Sequence, residues 1–432
     1  MDVKNKKGGE TMTKFATLTA VAALLTSTIG PAAAQQRVVL QWQTPNLTEA
    51  QYEPIWKQTI AAFEAANPNV KIEPILVARR DHWTKFVAAA QARQAPCIVA
   101  VDLTTAAAEG YLRPIDDLWD KEPAAFRNAW SDDMLKSARW KGKLYGLPNW
   151  GGVYAEIYNR ELVAKAGLDP KNPPRNWAEY LQWAKALTGT DHWATSVLGG
   201  KTDTTTRVLL TWIYGNGGEP FNADMTESRF AKDPKSLEAI KFYLGLFSDH
   251  KVASSAPTTT NYLEQTVLFS QGKIATMRNA YWSVAKVIGD NPQIEGKMFA
   301  APLPAQIPNA PTLATVTAHS ISESCRHPEE AWRFIKFDMD KKWAVQRAVK
   351  ANWMPLRRDL ADEPEIKADP MLSEFVRIGT NARSYPLPHP AWADIATNDI
   401  VDAVQRALLD PARTEQIFQD LDVRLSRKLK DQ

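Results

Sequence analysis

The sequence predicts an α/β chain built on a parallel sheet, and two observations carry that prediction. Stretches of β-rich and helical periodicity alternate through the first third of the chain. The 432 residues, at roughly 100 to 200 per domain, allow two or three domains, each able to bury a core. A composition of 44% hydrophobic and 23% charged residues excludes a disordered, collagen-like or integral membrane chain.

Taken in order, residues 37–42 form a short β-rich run. Thr48 offers an N-cap for a helix in which Tyr52, Ile55, Trp56, Ile60 and Phe63 recur at helical spacing, and Asn67-Pro68 stops it. Residues 70–77 return to extended chain, 82–93 read as a second helix, 96–101 as a buried strand and 106–110 as a third helix. This βαβαβα order implies the parallel sheet. Beyond it, 176–187, 235–247, 329–349 and 396–409 read as helices, with Glu329 and Glu330 in a first turn after Pro328. Residues 297–322, punctuated by Pro302, Pro304, Pro308 and Pro311, read as extended chain and crossing loops.

The N-terminus predicts export. Lys4, Lys6, Lys7 and Lys14 precede an apolar and small-residue run over 15–29, and Ala32 and Ala34 suit cleavage after Ala34, so 1–34 reads as a secretory signal peptide. Initiation at Met1 and at Met12 both fit. The run is short for a membrane span. The first cysteine is Cys97, so no Cys stands at the cleavage point for lipid attachment. The expectation is a freely diffusing periplasmic protein, not a lipoprotein.

The 52 basic and 49 acidic residues, a formal net charge of +3, lack the positive field of a dedicated nucleic-acid binder, and a neutral ligand is the default. The 16 Trp are the compositional oddity, because an indole stacks on flat apolar groups while its N–H donates. There is no Gly-x-Ser-x-Gly, His-Glu-x-x-His or Cys-x-x-Cys, and the six His lack metal-ligand spacing. No catalytic residue, metal or cofactor is expected. Gly200-Lys201-Thr202 matches the tail of a phosphate-binding loop, but the first Gly of that motif would fall on Thr195. Scattered carboxylates leave a secreted glycosidase as a remote alternative, since its two carboxylates need spatial rather than sequence proximity.

Five stretches, in order, carry a resemblance. They are Ala61-Ala62-Phe63-Glu64-Ala65-Ala66-Asn67-Pro68-Asn69-Val70-Lys71-Ile72, Gly142-Lys143-Leu144-Tyr145-Gly146-Leu147-Pro148, Ile157-Tyr158-Asn159-Arg160-Glu161-Leu162, Pro174-Arg175-Asn176-Trp177-Ala178-Glu179-Tyr180, and Phe269-Ser270-Gln271-Gly272-Lys273-Ile274-Ala275-Thr276-Met277 continued by Asn279-Ala280-Tyr281-Trp282. Over nearly the whole chain after the leader they resemble the extracellular solute-binding proteins of carbohydrate ABC importers, the maltose-binding-protein-like family 1. The resemblance implies a two-lobed periplasmic binding protein fold, with a central sheet in each lobe and crossover hinge strands. Transposed, one lobe holds 36–149 plus 314–355 and the other 150–313 plus 356–432. It also implies a monomer that closes on a sugar between the lobes and delivers it to an inner-membrane ABC permease. A polyol or an anionic sugar derivative, such as a glycerol phosphate ester, is the alternative ligand.

A sugar needs paired donors and acceptors for its hydroxyls and an apolar plane for its C–H faces. Asp102 closes the third strand, at the sheet edge where open parallel sheets bind ligands, and resembles the family's acidic ligand residue; an N-cap for the next helix is the ordinary alternative. Gln43, Thr44 and Asn46 follow the first strand at the same edge, where a plain turn is the alternative, and Arg80 and Asp81 follow the second, where a surface ion pair is. Trp282 resembles the family's stacking Trp, although Ala280-Tyr281 replaces the usual Gly-Pro. Trp150 at the first crossover, Trp353 beside Pro355 at the third, and Trp392 after Pro388-His389-Pro390-Ala391 complete the aromatic candidates; each also suits a core or hinge. Gly152 stands where the family has a carboxylate, and Ala314-Thr315 where some relatives have Gly-Gly, so the ligand need not be a maltose-like glucan. In the family pattern the chain after 315 returns antiparallel beside the third strand, which would bring Cys97 and Cys325 together as a disulfide, two free thiols being the alternative.

Overall fold

Residues 37–48, 52–78, 81–101 and 103–430 are described by a computed structural model. The expected leader over 1–34, Arg80 and Asp102 lie outside the described residues.

Alternating apolar residues form strand β1 at Val38–Thr44 and β2 at Val70–Leu76. The two pair in parallel from Val38↔Val70 to Thr44↔Leu76, on either side of the helix Glu53–Ala66. That helix does not use Thr48 as a cap. The Thr48 hydroxyl donates to the Pro45 carbonyl at 2.6 Å, closing a 3-10 turn over Asn46–Thr48, and the helix starts at Glu53 with Pro54 in its first turn. After the helix His82–Gln91, strand β3 is Ile98–Val99 only, parallel to β1. The expected run of six residues is shortened at both ends. Pro96 has no N–H for a ladder, and the Ala100 carbonyl is taken by His82 Nε2 at 2.8 Å.

A hairpin of β4 (Arg139–Trp140) and β5 (Lys143–Leu144) leads into β6, the 14-residue strand Gly146–Asn159. Strand β7 is Thr276–Ala280, β8 Met298–Ala301, β9 Thr312–Ile321 and β10 Ala382–Tyr385. The first half of β6 runs antiparallel to β9, from Gly146↔Ser320 to Val153↔Ala314, with an irregularity between Pro148 and Trp150. Its second half pairs antiparallel with β7 and β8. Strand β3 pairs antiparallel with β9 at Ile98↔Ile321, and β10 runs parallel to the start of β9. The order β2-β1-β3-β9-β6-β7 thus makes one mixed path in which β6 and β9 are the strands shared by both ends. Glycine lets them cross closely: a Cβ at Gly151 would stand 1.8 Å from the Thr315 carbonyl oxygen.

The later helices follow the predicted periodicity. Asn176 caps Trp177–Leu187 by accepting from the Glu179 N–H, and Asp233 caps Pro234–Ser248. The single helix expected over 329–349 is two, Pro328–Asp338 and Lys341–Ala351, because the Asp340 side chain accepts from the Lys342 N–H and starts the chain afresh. The helix expected over 396–409 begins as a π-turn, Ile395–Asp399, before Ile400–Leu409.

One core packs Trp42, Trp56 and Phe86 of the first βα units against Phe334 and Trp353. Another gathers Trp212, Tyr243 and Phe418, and a third lies around Ile157, Met277 and Phe375. Cys97 and Cys325, just before β3 and after β9, are joined as a disulfide with Cα atoms 4.6 Å apart. Ser322 N–H donates to the Cys97 carbonyl at 3.0 Å, which fixes that register. Among the described residues no helix is long and apolar enough to cross a membrane.

Candidate functional site

A cleft of ≈ 770 Å³ opens where β6 and β9 cross. It brings together Asn46, Trp150, Trp282, Trp353 and Trp392, from 46 to 392 in the sequence. Trp150 follows the irregularity in β6, Trp282 opens the helix Trp282–Asp290, and Trp353 follows the helix Lys341–Ala351. Their indoles form a ladder. Trp150 and Trp353 have centroids 4.7 Å apart at 32°, and Trp150 and Trp282 5.9 Å apart at 41°. Tyr52 meets Trp353 edge-on at 4.7 Å, and Tyr154 meets Trp282 edge-on at 6.0 Å. The ladder is held from both sides, and it gives the cleft an apolar face of the kind that suits sugar C–H groups.

Gln43 and Thr44 stand behind the cleft wall instead of lining it. Gln43 Nε2 donates to the His82 carbonyl at 2.8 Å and so ties the end of β1 to the start of the helix His82–Gln91, while Thr44 Oγ1 accepts from the Asn46 N–H at 3.1 Å and holds the loop that presents Asn46. Asp81 precedes the helix His82–Gln91 and is likewise absent from the lining.

Apart from Asn46, the polar side of the cleft comes from residues not singled out in the sequence. Asp203 and Arg207 lie one turn apart in the helix Asp203–Gly215 and form an ion pair, Arg207 Nη2 donating to Asp203 Oδ2. The same oxygen accepts from the Tyr385 hydroxyl at 3.3 Å, and the guanidinium lies 5.0 Å over the Tyr385 ring. Burial alone would weaken the Arg207 charge, but Asp203, with Tyr154 and Tyr385, outweighs it and holds the guanidinium firmly protonated. Burial pushes the Tyr154 hydroxyl up to about 12, against the pull of Arg207. Asn149 also lines the cleft, its Nδ2 2.8 Å from His319 Nε2; that ring nitrogen lies 3.0 Å from Asp338 Oδ2, and Arg347 donates to the other oxygen at 2.8 Å. The Asp-x-x-x-Arg spacing was visible in the sequence as a helical ion pair. Its place in the cleft depends on contacts with Tyr385, 182 residues away, which no local pattern reports. Among the described residues no group of three His, Cys, Asp or Glu could hold a metal ion.

The chain is similar to known proteins in sequence and in fold. The family described as "Bacterial extracellular solute-binding protein" matches residues 58–374. A binding protein of Brucella abortus is 28% identical over 400 residues, covering 89% of this chain and 93% of its own. Among solved structures, the solute-binding protein of Thermotoga lettingae bound with α-D-tagatose superposes with a TM-score of 0.73 at 24% identity, over 91% of this chain and 100% of its own. The sugar-binding protein MalE of Xanthomonas citri superposes with a TM-score of 0.79 at 18% identity, over 91% and 98%. The fold is therefore the two-lobed one of periplasmic sugar-binding proteins.

Proposed function

This chain belongs to the bacterial extracellular solute-binding protein family, and on that footing we propose that it captures a carbohydrate in the cleft by hinge closure and delivers it to an ABC permease in the inner membrane. Family and fold are those of binding proteins rather than enzymes. The observation that carries the carbohydrate reading is the Trp282–Trp150–Trp353 ladder facing a cleft that also holds the Asp203–Arg207 pair. An indole plane for C–H faces beside charged donors and acceptors for hydroxyls is what a sugar requires. The relatives bound with or named for sugars support it. An anionic derivative is the weaker reading, because Asp203 already neutralises Arg207, and a polyol has the hydroxyls but no ring face for the indole ladder.

We divide the lobes as the resemblance implies, at about 149/150, 313/314 and 355/356. The core around β1–β3 includes Leu147 and Trp353, whereas Val153 and Leu356 pack in the core around Ile157, which also takes in Met134, Ala314, Ala348 and Met354 from the first lobe beside the crossings. In this reading the protein works as a periplasmic monomer exported by its leader.

A thermal-shift screen across neutral sugars, polyols and sugar phosphates, followed by calorimetry, tests the ligand class. Ligand at 100 times its dissociation constant should add about 2.7 kcal/mol of stability. Solution scattering with the ligand so found should show compaction; an unchanged profile would sink hinge closure.

A further inference from the structure

The helix Asp203–Gly215 begins at the cleft, with Asp203 in its first turn and Arg207 in its second. The two side chains remain 33% and 20% exposed, so the pair is reachable from the cleft. Its geometry is fixed from a distant strand, since Tyr385 of β10 donates to Asp203 Oδ2 and lies under the guanidinium. Two bonding capacities are left over. Asp203 Oδ1 receives no hydrogen bond among the described residues, and the guanidinium, which donates to Asp203 from Nη2 and lies beside the Tyr154 and Tyr385 hydroxyls, has more N–H groups than these partners use.

Resting on the carbohydrate reading, we propose that Asp203 and Arg207 act as one recognition unit that reads two neighbouring hydroxyls of a neutral sugar residue and rejects phosphorylated or carboxylated sugars. A carboxylate only accepts and a guanidinium only donates, whereas a hydroxyl does both. Two adjacent hydroxyls, one donating to Asp203 and the other accepting from Arg207, therefore satisfy both groups at once. A phosphate cannot do so: it accepts from Arg207 but meets the Asp203 carboxylate as a like charge. The unit carries no net charge, so it offers an anion no compensating field. A site built to bond a hydroxyl also rejects analogues lacking it far more strongly than an apolar pocket rejects a changed methylene. Trp282 and Trp392 line the same cleft, so the sugar ring can stack while its hydroxyl edge meets the pair.

The test is calorimetry on the mature protein with glucose, galactose, arabinose, tagatose, maltotriose and arabinotriose as neutral probes, and glucose 6-phosphate and sn-glycerol 3-phosphate as anionic ones. The wild type should bind at least one neutral probe and neither phosphate. Asp203→Asn should weaken that neutral probe by about tenfold or more and gain measurable binding of a phosphate, because Arg207 is then unopposed. Arg207→Met should lose the neutral probe without gaining the phosphates. Melting curves confirm that each variant is folded; should Asp203→Asn fail to fold, Asp203→Glu, which keeps the charge but displaces the oxygens, makes the same comparison for the neutral probe. Retention of neutral-sugar affinity by the folded variants would overturn the recognition unit and leave the carbohydrate reading standing. A wild type that prefers a phosphate, or binds none of the probes, would overturn both.

Discussion

The Trp282 indole lies directly over Gly152: a Cβ built on that glycine would stand 1.7 Å from Trp282 Cζ3 and 2.3 Å from Cε3. The two residues come from different segments, Gly152 from the half of β6 that pairs with β9 and Trp282 from the first turn of a helix. Their contact accounts for the departure noted in the sequence. Where the resemblance expects a carboxylate, this chain has no side chain, and an indole of the cleft ladder occupies the space.

Gly152→Ala should therefore displace Trp282. The backbone of β6 is tied to β9, where Gly152 N–H donates to Thr315 Oγ1 at 2.8 Å, so the indole is the part that must move. Overpacking of this kind costs about 1 to 3 kcal/mol, and loss of the stacking geometry should weaken the identified ligand by about tenfold or more. Denaturant unfolding and calorimetry read the two effects; wild-type values in both would show that the indole is not held where the glycine admits it.

Removing the indole separates binding from folding. Trp282 is partly exposed and caps one end of the ladder, so Trp282→Ala should leave the melting temperature close to wild type while weakening ligand by about 2 to 4 kcal/mol, the range of a buried aromatic hot spot. Calorimetry on the folded variant checks this, and unchanged affinity would remove Trp282 from the site.

The disulfide gives a prediction that needs no ligand. Cys97 and Cys325 close a loop across a sequence separation of 228, and in the chain-entropy account such a bond stabilises by about 2 to 4 kcal/mol. Thiol titration of the denatured, unreduced protein from an oxidising compartment should find no reactive thiol, and reduction should lower the denaturation midpoint. Two reactive thiols before reduction would refute the bond.

The parts of the molecule legible in sequence were those set by short-range pattern. Helical spacing at Ile55, Trp56 and Phe63 located the first helix, and the pattern over 176–187 located the helix that Asn176 caps, because both depend on residues within a few turns. What failed depended on partners far away. β3 is two residues long because His82 claims a carbonyl and Pro96 offers no donor, and Thr48 closes its own turn instead of capping. In the site, the four Trp were visible as the residue type a sugar site wants. Gln43 and Asp203 were not separable in the same way: one polar residue ties a strand to a helix and the other faces the cleft, and only tertiary contacts decide which.

The last prediction concerns pH. His389, in the loop before Trp392, lines the cleft with both ring nitrogens engaged: Nδ1 accepts from the Ala391 N–H at 3.1 Å, so the proton sits on Nε2, which faces the Leu429 carbonyl at 3.2 Å. A second proton would have to enter at Nδ1 and break the first of these bonds. Burial holds the imidazole below the ordinary value of 6.5, with the Leu429 carbonyl pulling more weakly the other way. The unfolded chain therefore takes up a proton at a pH where the folded chain refuses it. That makes the contribution of His389 fully present above the ordinary value and progressively lost as pH falls below it. Denaturant unfolding of the wild type should thus show stability falling from about pH 7 to about pH 5 more steeply than in His389→Gln, whose amide can keep the bond to Leu429 without titrating. Comparing the two slopes cancels the other titrating groups common to both proteins, and equal slopes would mean that His389 titrates alike in the folded and unfolded chain.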